Sequence, residues 1–309
     1  MKDKTYLGLD LGGTKLLIGE VRSDGKILRE KRYTSDLSNQ ENATSLMISS
    51  LDDFVASDDG HRNAVAIGVG MPGRVDADQG VWLQIDPERT SPIPLGKMLG
   101  ERFGLPCFID NDVKSATLAE QRWGCGRVSS DFVYINVGTG VGAGIVVGGK
   151  VIHGYHWDAG EVGYTSFKTG AGQDLYVEAV ASGAGMDNLA RKLRKEHATR
   201  LTFPTDRRID VKEVFRLEQD GDALCHMIVE QATQALKTLI GNIARTIDPE
   251  YIVLGGGVVA DGYLLKKMLP SLNGNSFRFI KDKIVITTLN GHETGLLGAA
   301  AMAMKGTEN

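Results

Sequence analysis

Apolar and polar positions near the start of the chain alternate in short runs that are separated by glycine-rich turns. This period of two predicts a β-hairpin over Lys4–Val21, with Asp10-Leu-Gly-Gly-Thr14 at its turn. A second turn at Ser23-Asp-Gly-Lys26 leads into a third expected strand over Ile27–Thr34. The first part of the chain therefore predicts a β-meander.

Farther along, apolar residues at helical spacing alternate with short apolar runs, which predicts alternating helices and strands. Helices are expected over Thr44–Val55, Leu95–Phe103, Val113–Trp123, Val177–His197, Val211–Gln219, Asp222–Thr246 and Gly295–Met304. Strands are expected over Ala64–Gly70, Cys107–Ile109, Tyr251–Leu254 and Ile284–Thr287. This succession predicts an α/β fold.

The early pattern occurs again near the middle of the chain. The segment Phe132–Gly140 resembles Leu7–Thr14, and Ile145–Ile152 resembles Gly19–Ile27. A period of about half the chain favours a duplicated ββαβ-type core over a solenoid. We expect a first domain at residues 1–118 and a second at 119–294, with a terminal helix at 295–309 that packs back on the first.

Composition and charge narrow the functional classes. The 309 residues carry a formal net charge of −4 without a basic stripe, so nucleic acid is not an expected partner, and Arg191–Arg200 is interpreted as the solvated face of a helix. We find no apolar run long enough to span a bilayer and no signal peptide, so no membrane partner is expected. Three widely spaced cysteines indicate a reduced compartment, and a cytoplasmic protein is expected.

Three glycine-rich turns are candidates for phosphate binding. In Asp10-Leu-Gly12-Gly13-Thr14-Lys15, glycines allow positive φ and close approach of backbone N–H groups to an anion. Thr14 offers a hydroxyl and Asp10 a ligand for a phosphate-bound metal. An ordinary hairpin with a glycine-rich turn explains this one segment almost as well as phosphate binding does. A similar turn at Gly138-Thr139-Gly140, and a strand that ends in Gly255-Gly256-Gly257, shift the balance to a nucleotide site without a Walker-type or dinucleotide-binding motif.

Seven segments carry motifs in a specific order and spacing: Gly8–Lys15, Gly68–Asp76, Asn111–Glu120, Gly138–Gly142, Ala159–Gly163, Glu178–Gly183 and Asp248–Gly257. They resemble the ROK family of sugar kinases and repressors, within the actin/hexokinase-like superfamily, over essentially the whole chain. The resemblance implies two actin-like (ribonuclease H-like) domains, with sugar and nucleotide bound in a central cleft. It also implies ATP held by the three glycine turns, Mg²⁺ held by Asp10 and the ATP phosphates, and a homodimer.

The resemblance assigns roles to residues of the sugar site. Asp112 corresponds to the catalytic base, which a sugar hydroxyl requires because it is too weakly acidic to attack alone. Asn111 would bind a sugar hydroxyl, Gly73 would lie against the sugar, and Glu161 would accept hydrogen bonds from ring hydroxyls. Taken without the resemblance, Asp110-Asn111-Asp112 is more typical of a turn or a helix cap, and Glu161 also fits a surface position.

One family motif is missing from this chain. Most ROK members follow Gly-Glu-x-Gly with a histidine and then a Cys-x-Cys-Gly-x-x-Gly-Cys run, and these residues hold a structural zinc. The corresponding positions here are Tyr164, Thr169, Ala171 and Tyr176. Tetrahedral zinc needs four Cys or His ligands, so no zinc site is expected, and the nearby His153 and His156 are weak evidence for one. Tyr164 keeps a phenol that can hydrogen-bond a sugar hydroxyl.

The sequence therefore predicts an ATP-dependent sugar kinase that phosphorylates a hexose or aminohexose. The segment Leu83–Leu95 replaces the Asn-Leu-x-x-Trp of glucokinase-like members, so a plain glucose preference does not follow. Asp86, Glu88 and Glu161 offer negative charge to an amino group, or all three are solvated. Fructose, mannose and N-acetylhexosamines are alternative substrates, and polyphosphate is an alternative donor.

Two other functions compete with the kinase. Sugar-responsive regulators of the family carry a helix-turn-helix ahead of the first strand, and we expect no room for one before Tyr6. A catalytically inactive sugar-binding protein is disfavoured because the candidate residues for chemistry are retained. These residues are Asp10, Thr14, Asn111, Asp112 and Glu161.

Overall fold

Two sheets of five strands organise the chain. The structure is a computed structural model that describes residues 4–57, 63–170, 172–291 and 293–308. The described residues fall into two units. The first unit comprises those within Met1–Val128, His153–Ala159 and His292–Asn309, and the second comprises those within Ser129–Ile152 and Gly160–Gly291.

The first part of the chain contains, in order, β1 (Thr5–Leu11), β2 (Lys15–Arg22), β3 (Ile27–Thr34), α1 (Gln40–Ala56), β4 (Ala64–Met71), β5 (Arg74–Asp76), β6 (Val81–Gln84), α2 (Leu95–Phe103), β7 (Cys107–Asn111) and α3 (Asp112–Arg122). It is followed by β8 (Phe132–Val137), β9 (Val141–Val147), β10 (Lys150–Val151), β11 (Ser166–Lys168), β12 (Asp174–Tyr176), α4 (Glu178–Ala181) and α5 (Gly183–Leu193). The last elements are α6 (Val211–Gln219), α7 (Ala223–Thr246), β13 (Tyr251–Gly255), α8 (Tyr263–Met268), β14 (Ile284–Ile286) and α9 (Thr294–Glu308).

Both large sheets have the same topology. The first has the strand order β3-β2-β1-β4-β7, and the second has the order β10-β9-β8-β13-β14. In each sheet the first three strands of the sequence form an antiparallel meander, and the last two run parallel to the first. The α/β class and the duplicated core predicted from the sequence are confirmed.

Helices cover both faces of the first sheet. Leu7 and Leu9 belong to one core with Met47 of α1, while Gly8, between them, points to the opposite face, where α9 lies. The backbones of α9 and the sheet approach so closely that a Cβ on Gly68 would overlap the carbonyl oxygen of Ala299. Glycine is therefore required at this contact, which fixes α9 over β1 and β4.

The core of the second unit is built around α7, which contributes twelve buried residues. Asp222 caps the start of this helix, since its carboxylate accepts the N–H of Cys225. Although α7 has 24 residues, no helix in the described part of the chain is long and apolar enough to cross a membrane.

The single helix predicted over Val177–His197 is wrong, because the chain forms α4 and α5 with a break at Ser182. The backbone of Ser182 is extended, with φ −78° and ψ 161°. Its hydroxyl donates to the carbonyl oxygen of Glu178 at 2.8 Å and accepts the N–H of Gly185 at 2.9 Å. One serine thus ends α4 and caps α5, which a search for helical spacing does not detect.

Candidate active site

Parallel strands of the first sheet bring three positions into one row at their carboxyl ends. Asp10 of β1 pairs with Gly70 of β4, and Gly70 pairs with Asp110 of β7. Two strand spacings place the backbones of the two aspartates about 10 Å apart. A Cβ on Gly70 would lie 3.0 Å from the Ser115 hydroxyl of α3, which would have to shift slightly to make room for it. The carboxyl ends of parallel strands are where α/β folds bind ligands.

The first glycine-rich turn joins β1 to β2. The N–H of Gly12 donates to the carbonyl oxygen of Lys15 at 2.8 Å, and Gly13 and Thr14 are exposed. Neither Gly12 nor Gly13 has a positive φ, so the backbone conformation expected from the sequence is not the reason for these glycines. At Gly13 a Cβ would meet no described heavy atom within 4 Å, which leaves the turn open to a ligand.

Asp10 lies at the start of α9. A Cβ on Gly295 would overlap the carboxylate of Asp10, so the first turn of α9 lies directly against this side chain. The N-terminal end of a helix favours a negative charge nearby. The start of α9 is therefore a favourable neighbour for the Asp10 side chain at the end of β1.

Asn111 links the end of β7 to two other parts of the first unit. Its Oδ1 accepts the N–H groups of Val113 and Lys114 at 2.9 and 3.3 Å, so it caps α3, as the triplet pattern alone suggested. Its Nδ2 donates to the carbonyl oxygen of Gly73 at 3.1 Å. Asp112, the first residue of α3, is half-buried next to this cap. Gly73, Asn111 and Asp112 are thus brought together.

Gly73 admits no side chain. Its φ is 86°, and a Cβ there would overlap the carbonyl oxygens of Gln84 and Ile85. The short hairpin of β5 and β6 begins directly after this turn. The side-chain amide of Asn111 and the glycine conformation together hold the turn against the end of β7.

The segment 153–157 contacts two residues that lie two positions before and two positions after Asp112 in the chain. His153 Nε2 lies 2.7 Å from Oδ2 of the buried Asp110, and buried Lys114 donates through Nζ to the carbonyl oxygen of Trp157 at 3.3 Å. Trp157 has a φ of 64°, which is unusual for a bulky residue. The cluster of aromatic and histidine residues at 153–157 was the only signal for this contact in the sequence.

The second glycine turn lies in the second unit, between β8 and β9. The carbonyl oxygens of Gly138 and Thr139 accept the N–H groups of Gly183 and Ala184 at 2.8 and 3.3 Å, which ties the turn to the start of α5. A Cβ on Gly140 would lie 2.6 Å from an oxygen of the Glu178 carboxylate.

The triple glycine that ends β13 lies beside the second turn. Gly255 pairs with Asn136 on the neighbouring strand β8. Gly256 has a φ of 91°, and a Cβ there would overlap the carbonyl oxygen of Val137. The N–H of Val258 donates to that same oxygen at 3.0 Å. The structure therefore brings two of the three predicted nucleotide elements together within one unit.

Comparison with known proteins gives the family. The model of the ROK family matches residues 6–306. The chain belongs to the ROK family.

Two curated relatives and one solved structure show which members are similar. A glucokinase of Halalkalibacterium halodurans is 30% identical, over 96% of this chain and 94% of its own length. An N-acetylmannosamine kinase of Escherichia coli O157:H7 is 32% identical, over 97% of this chain and 98% of its own. A ROK glucokinase from Streptomyces griseus, solved in complex with glucose and AMPPNP, gives a TM-score of 0.75 at 25% identity, covering 97% and 99% of the two chains. The enzyme class predicted from the sequence, an ATP-dependent sugar kinase, agrees with all three.

Glu161 and Tyr164 are the predicted sugar contacts of the second unit. Glu161 precedes a single helical turn at Val162–Tyr164, and Tyr164 is its last residue. The loop lies against β9 because both of its glycines approach that strand. A Cβ on Gly160, whose φ is 96°, would overlap the carbonyl oxygen of Ala143, and a Cβ on Gly163 would overlap that of Val141. Tyr164 is 59% exposed.

Two positions that hold zinc ligands in most ROK members are occupied here by packed tyrosine rings. Tyr164 and Tyr176 meet edge to face with centroids 6.0 Å apart. Thr169 closes the hairpin of β11 and β12, since its N–H donates to the carbonyl oxygen of Gln173 at 2.8 Å. Ala171 lies outside the described residues. Among those described, no group of three or more His, Cys, Asp or Glu side chains has the arrangement of a metal site.

Proposed function

We propose that this ROK-family kinase transfers the γ-phosphoryl group of ATP to a hydroxyl of a hexose or aminohexose. The observation that carries the proposal is the position of Asp112. Asp112 is the first residue of α3 and follows the carboxyl end of β7. The side-chain amide of its neighbour Asn111 donates to the carbonyl oxygen of Gly73. This is a fixed carboxylate beside a glycine turn and an amide, the groups needed to bind and deprotonate a hydroxyl.

In this proposal Asp112 is the general base. The first turn of a helix favours a carboxylate in its ionised form, which is the form that accepts a proton. Asn111 and Gly73 orient the sugar hydroxyl toward it, and Glu161 and Tyr164 bind other ring hydroxyls. Phosphoryl transfer then depends mainly on positioning and charge neutralisation rather than on covalent chemistry by the protein.

The nucleotide is assigned to the glycine turns. The first turn, Gly12–Lys15, and the second turn, Gly138–Gly140, bind phosphates, and Gly255–Gly257 receives the nucleoside. Asp10 would hold Mg²⁺, which fits its position because Mg²⁺ on a nucleotide commonly uses one or two carboxylates together with phosphates and water. The metal would neutralise charge on the phosphate oxygens.

The substrate is a neutral or N-acylated hexose, and the relatives do not favour one particular sugar within that class. The named relatives act on glucose and on N-acetylmannosamine at similar identity, 30% and 32%. Glu88 is exposed, and Asp86 pairs with Arg89 through hydrogen bonds that include one of 2.7 Å, which lowers the pKa of its carboxyl. Asp86 therefore has a partner of its own, and Glu161 is exposed like Glu88, so these carboxylates give no specific reason to expect a free amino group on the sugar.

A sugar panel tests the proposal. Glucose, mannose, fructose, glucosamine and their N-acetyl forms are assayed with ATP in a coupled ADP assay. We expect turnover of at least one sugar, and an Asp112→Asn variant slower by roughly 10²–10⁴-fold in kcat. Asp36→Asn, in an exposed loop, is the matched control and keeps full activity. Failure of every sugar, or full activity of Asp112→Asn, would overturn the assignment.

A further inference from the structure

The loop between α5 and α6 is fastened to α5 by Arg191. Its guanidinium donates through Nη2 to the carbonyl oxygens of Pro204 and Arg207, at 2.8 and 3.1 Å. Through Nε it binds both oxygens of Asp187, one helical turn earlier, at 3.0 and 2.9 Å. An arginine that is itself held by a carboxylate thus fixes two carbonyl groups of the loop.

Asp187 holds the same loop at a second point, the residue that follows Arg208. This aspartate is only 8% exposed, and its Oδ1 accepts the N–H of Ile209 at 2.9 Å. The residues immediately before and after Arg208 are therefore both bonded to the Asp187–Arg191 pair. The backbone of Arg208 is held in place, although its side chain is exposed.

The guanidinium of Arg208 contacts the second glycine turn. Its Nη1 donates to the hydroxyl of Thr139 at 3.2 Å. Within the described part of the chain Arg208 forms no ion pair, whereas the neighbouring Arg207 lies 3.9 Å from Asp206. An arginine offers five N–H donors in a planar fork, and one neutral hydroxyl uses only one of them.

The loop that carries Arg208 is held by an ionised carboxylate, that of Asp187. Burial raises the pKa of the Asp187 carboxyl, but hydrogen bonds from Arg191 and the N–H of Ile209, together with the charges of Arg191 and Arg208, outweigh it and lower that pKa. Asp187 is thus ionised at neutral pH and is already bonded to Arg191. Arg191 is therefore the bonded partner of Asp187, and Arg208 contacts the turn at Thr139, while at the other end of the turn the Glu178 carboxylate accepts the N–H of Val141 at 2.8 Å.

Helix α5 fixes both partners of this contact. Its first N–H groups bind the carbonyl oxygens of Gly138 and Thr139, and its Asp187 and Arg191 hold the loop that carries Arg208. The backbone of Arg208 and the turn are therefore both held by α5. A binding site needs its groups held in place by surrounding contacts of this kind.

We propose that Arg208 binds phosphate oxygens of the nucleotide donor at the turn Gly138–Gly140, together with the hydroxyl of Thr139. The proposal rests on the kinase function proposed above and adds a residue to its donor site. Phosphate suits this cation better than a sugar does, because the fork of arginine matches the geometry of phosphate oxygens and its charge is retained at all working pH values.

Arg208→Ala and Arg207→Ala are the matched test pair, since both side chains are exposed and adjacent in the chain. We expect Arg208→Ala to raise the KM for ATP roughly tenfold to hundredfold, with the KM for sugar unchanged, because a charge-assisted hydrogen bond is lost. Arg207→Ala stays within about twofold of the parent protein. Arg208→Lys, which keeps the charge without the fork, falls between the two.

Calorimetric titration without sugar provides a readout that does not require turnover. Weaker binding of ATP and ADP by Arg208→Ala, with adenosine binding unchanged, would support a phosphate contact. Equal losses for adenosine, or an ATP affinity and KM equal to those of Arg207→Ala, would overturn it. If the parent protein phosphorylates no sugar, the kinase proposal fails instead, and that outcome is visible before any variant is compared.

Discussion

His153 and Asp110 are hydrogen-bonded in the first unit, with Nε2 and Oδ2 2.7 Å apart, although 43 positions separate them in the chain. The other oxygen of Asp110 accepts the N–H of Asn111 at 2.8 Å. A carboxylate that is only 4% exposed needs such partners, because a buried charge without them is costly. The imidazole therefore stabilises the strand end from which Asn111 and Asp112 extend.

Replacing His153 with alanine tests this support. The buried carboxylate of Asp110 would lose its imidazole partner, and we expect a loss of about 2–3 kcal/mol in the free energy of unfolding. We also expect kcat to fall roughly tenfold, because Asn111 and Asp112 would be held less firmly. Urea unfolding and steady-state kinetics measure the two effects.

The neighbouring His156→Ala is the control for that variant. His156 is exposed, and the ring it contacts, Tyr155, is 93% exposed. We expect its stability to change by less than about 0.5 kcal/mol. A His153→Ala protein with parental stability and kcat would contradict the role assigned to the pair.

Tyr164 provides a test of the sugar site. Tyr164→Phe keeps the ring that packs on Tyr176 but removes the hydroxyl. If that hydroxyl binds the sugar, the KM for sugar should rise about fivefold, as expected for one neutral hydrogen bond, with the KM for ATP unchanged. Tyr176→Phe is the matched control and should leave both constants unchanged. Equal effects of the two variants would show that packing, not a sugar contact, is being measured.

The assignment of Asp10 to Mg²⁺ predicts that activity requires Mg²⁺. The residues at the positions that bind zinc in most ROK members predict that it does not require zinc. Chelation with EDTA should abolish sugar phosphorylation, and Mg²⁺ should restore it, because Mg²⁺ accompanies the ATP phosphates. Zinc should not be required, since Tyr164, Thr169 and Tyr176 offer no thiolate or imidazole. Elemental analysis of the purified protein checks the second point, and one zinc per chain would refute it.

The sequence predicted the sheets better than the contacts between distant segments. Alternating apolar runs and glycine turns indicated β1 to β3 and β8 to β9, and the repeat of that pattern indicated two equal topologies. The hairpins β5–β6 and β11–β12 were not predicted because strands of three or four residues are too short to show a period. The break at Ser182 was missed because helical spacing continues across it.

In the candidate site, too, the residues within motifs were predicted and the contacts between distant segments were not. Asp112, Asn111 and Gly73 were assigned through motifs, and the structure adds the reason that these types are needed, since Asn111 caps α3 and holds Gly73. The contacts of His153 and Arg208 were not predicted. His153 lies 43 positions from Asp110, and Arg208 lies 69 positions from Thr139. No local sequence pattern encodes pairings over such separations.

A buried carboxylate in the second unit sets a pH dependence of stability. Glu218 of α6 is bonded to Lys267 Nζ at 2.7 Å, to His226 Nδ1 at 3.2 Å and to the hydroxyl of Tyr263. Burial raises the pKa of the Glu218 carboxyl, but these hydrogen bonds and the charge of Lys267 outweigh it, so the pKa lies below its usual value of 4.5. Three elements, α6, α7 and α8, meet at this one side chain.

Glu218→Gln removes the charge, and we expect the variant to be about 2 kcal/mol less stable than the parent protein at pH 7. Because the folded pKa is lowered, the unfolded chain binds the proton more tightly, so the stabilisation by Glu218 is complete above pH 4.5 and declines as the pH falls below it. The stability gap between parent and variant, measured by urea unfolding, should therefore narrow from pH 7 to pH 3.5. Glu230→Gln, at an exposed position of α7, is the matched control and should change the stability at pH 7 by less than about 0.5 kcal/mol. A gap for Glu218→Gln that stays constant or widens toward low pH would mean that the carboxylate contributes no stabilising charge.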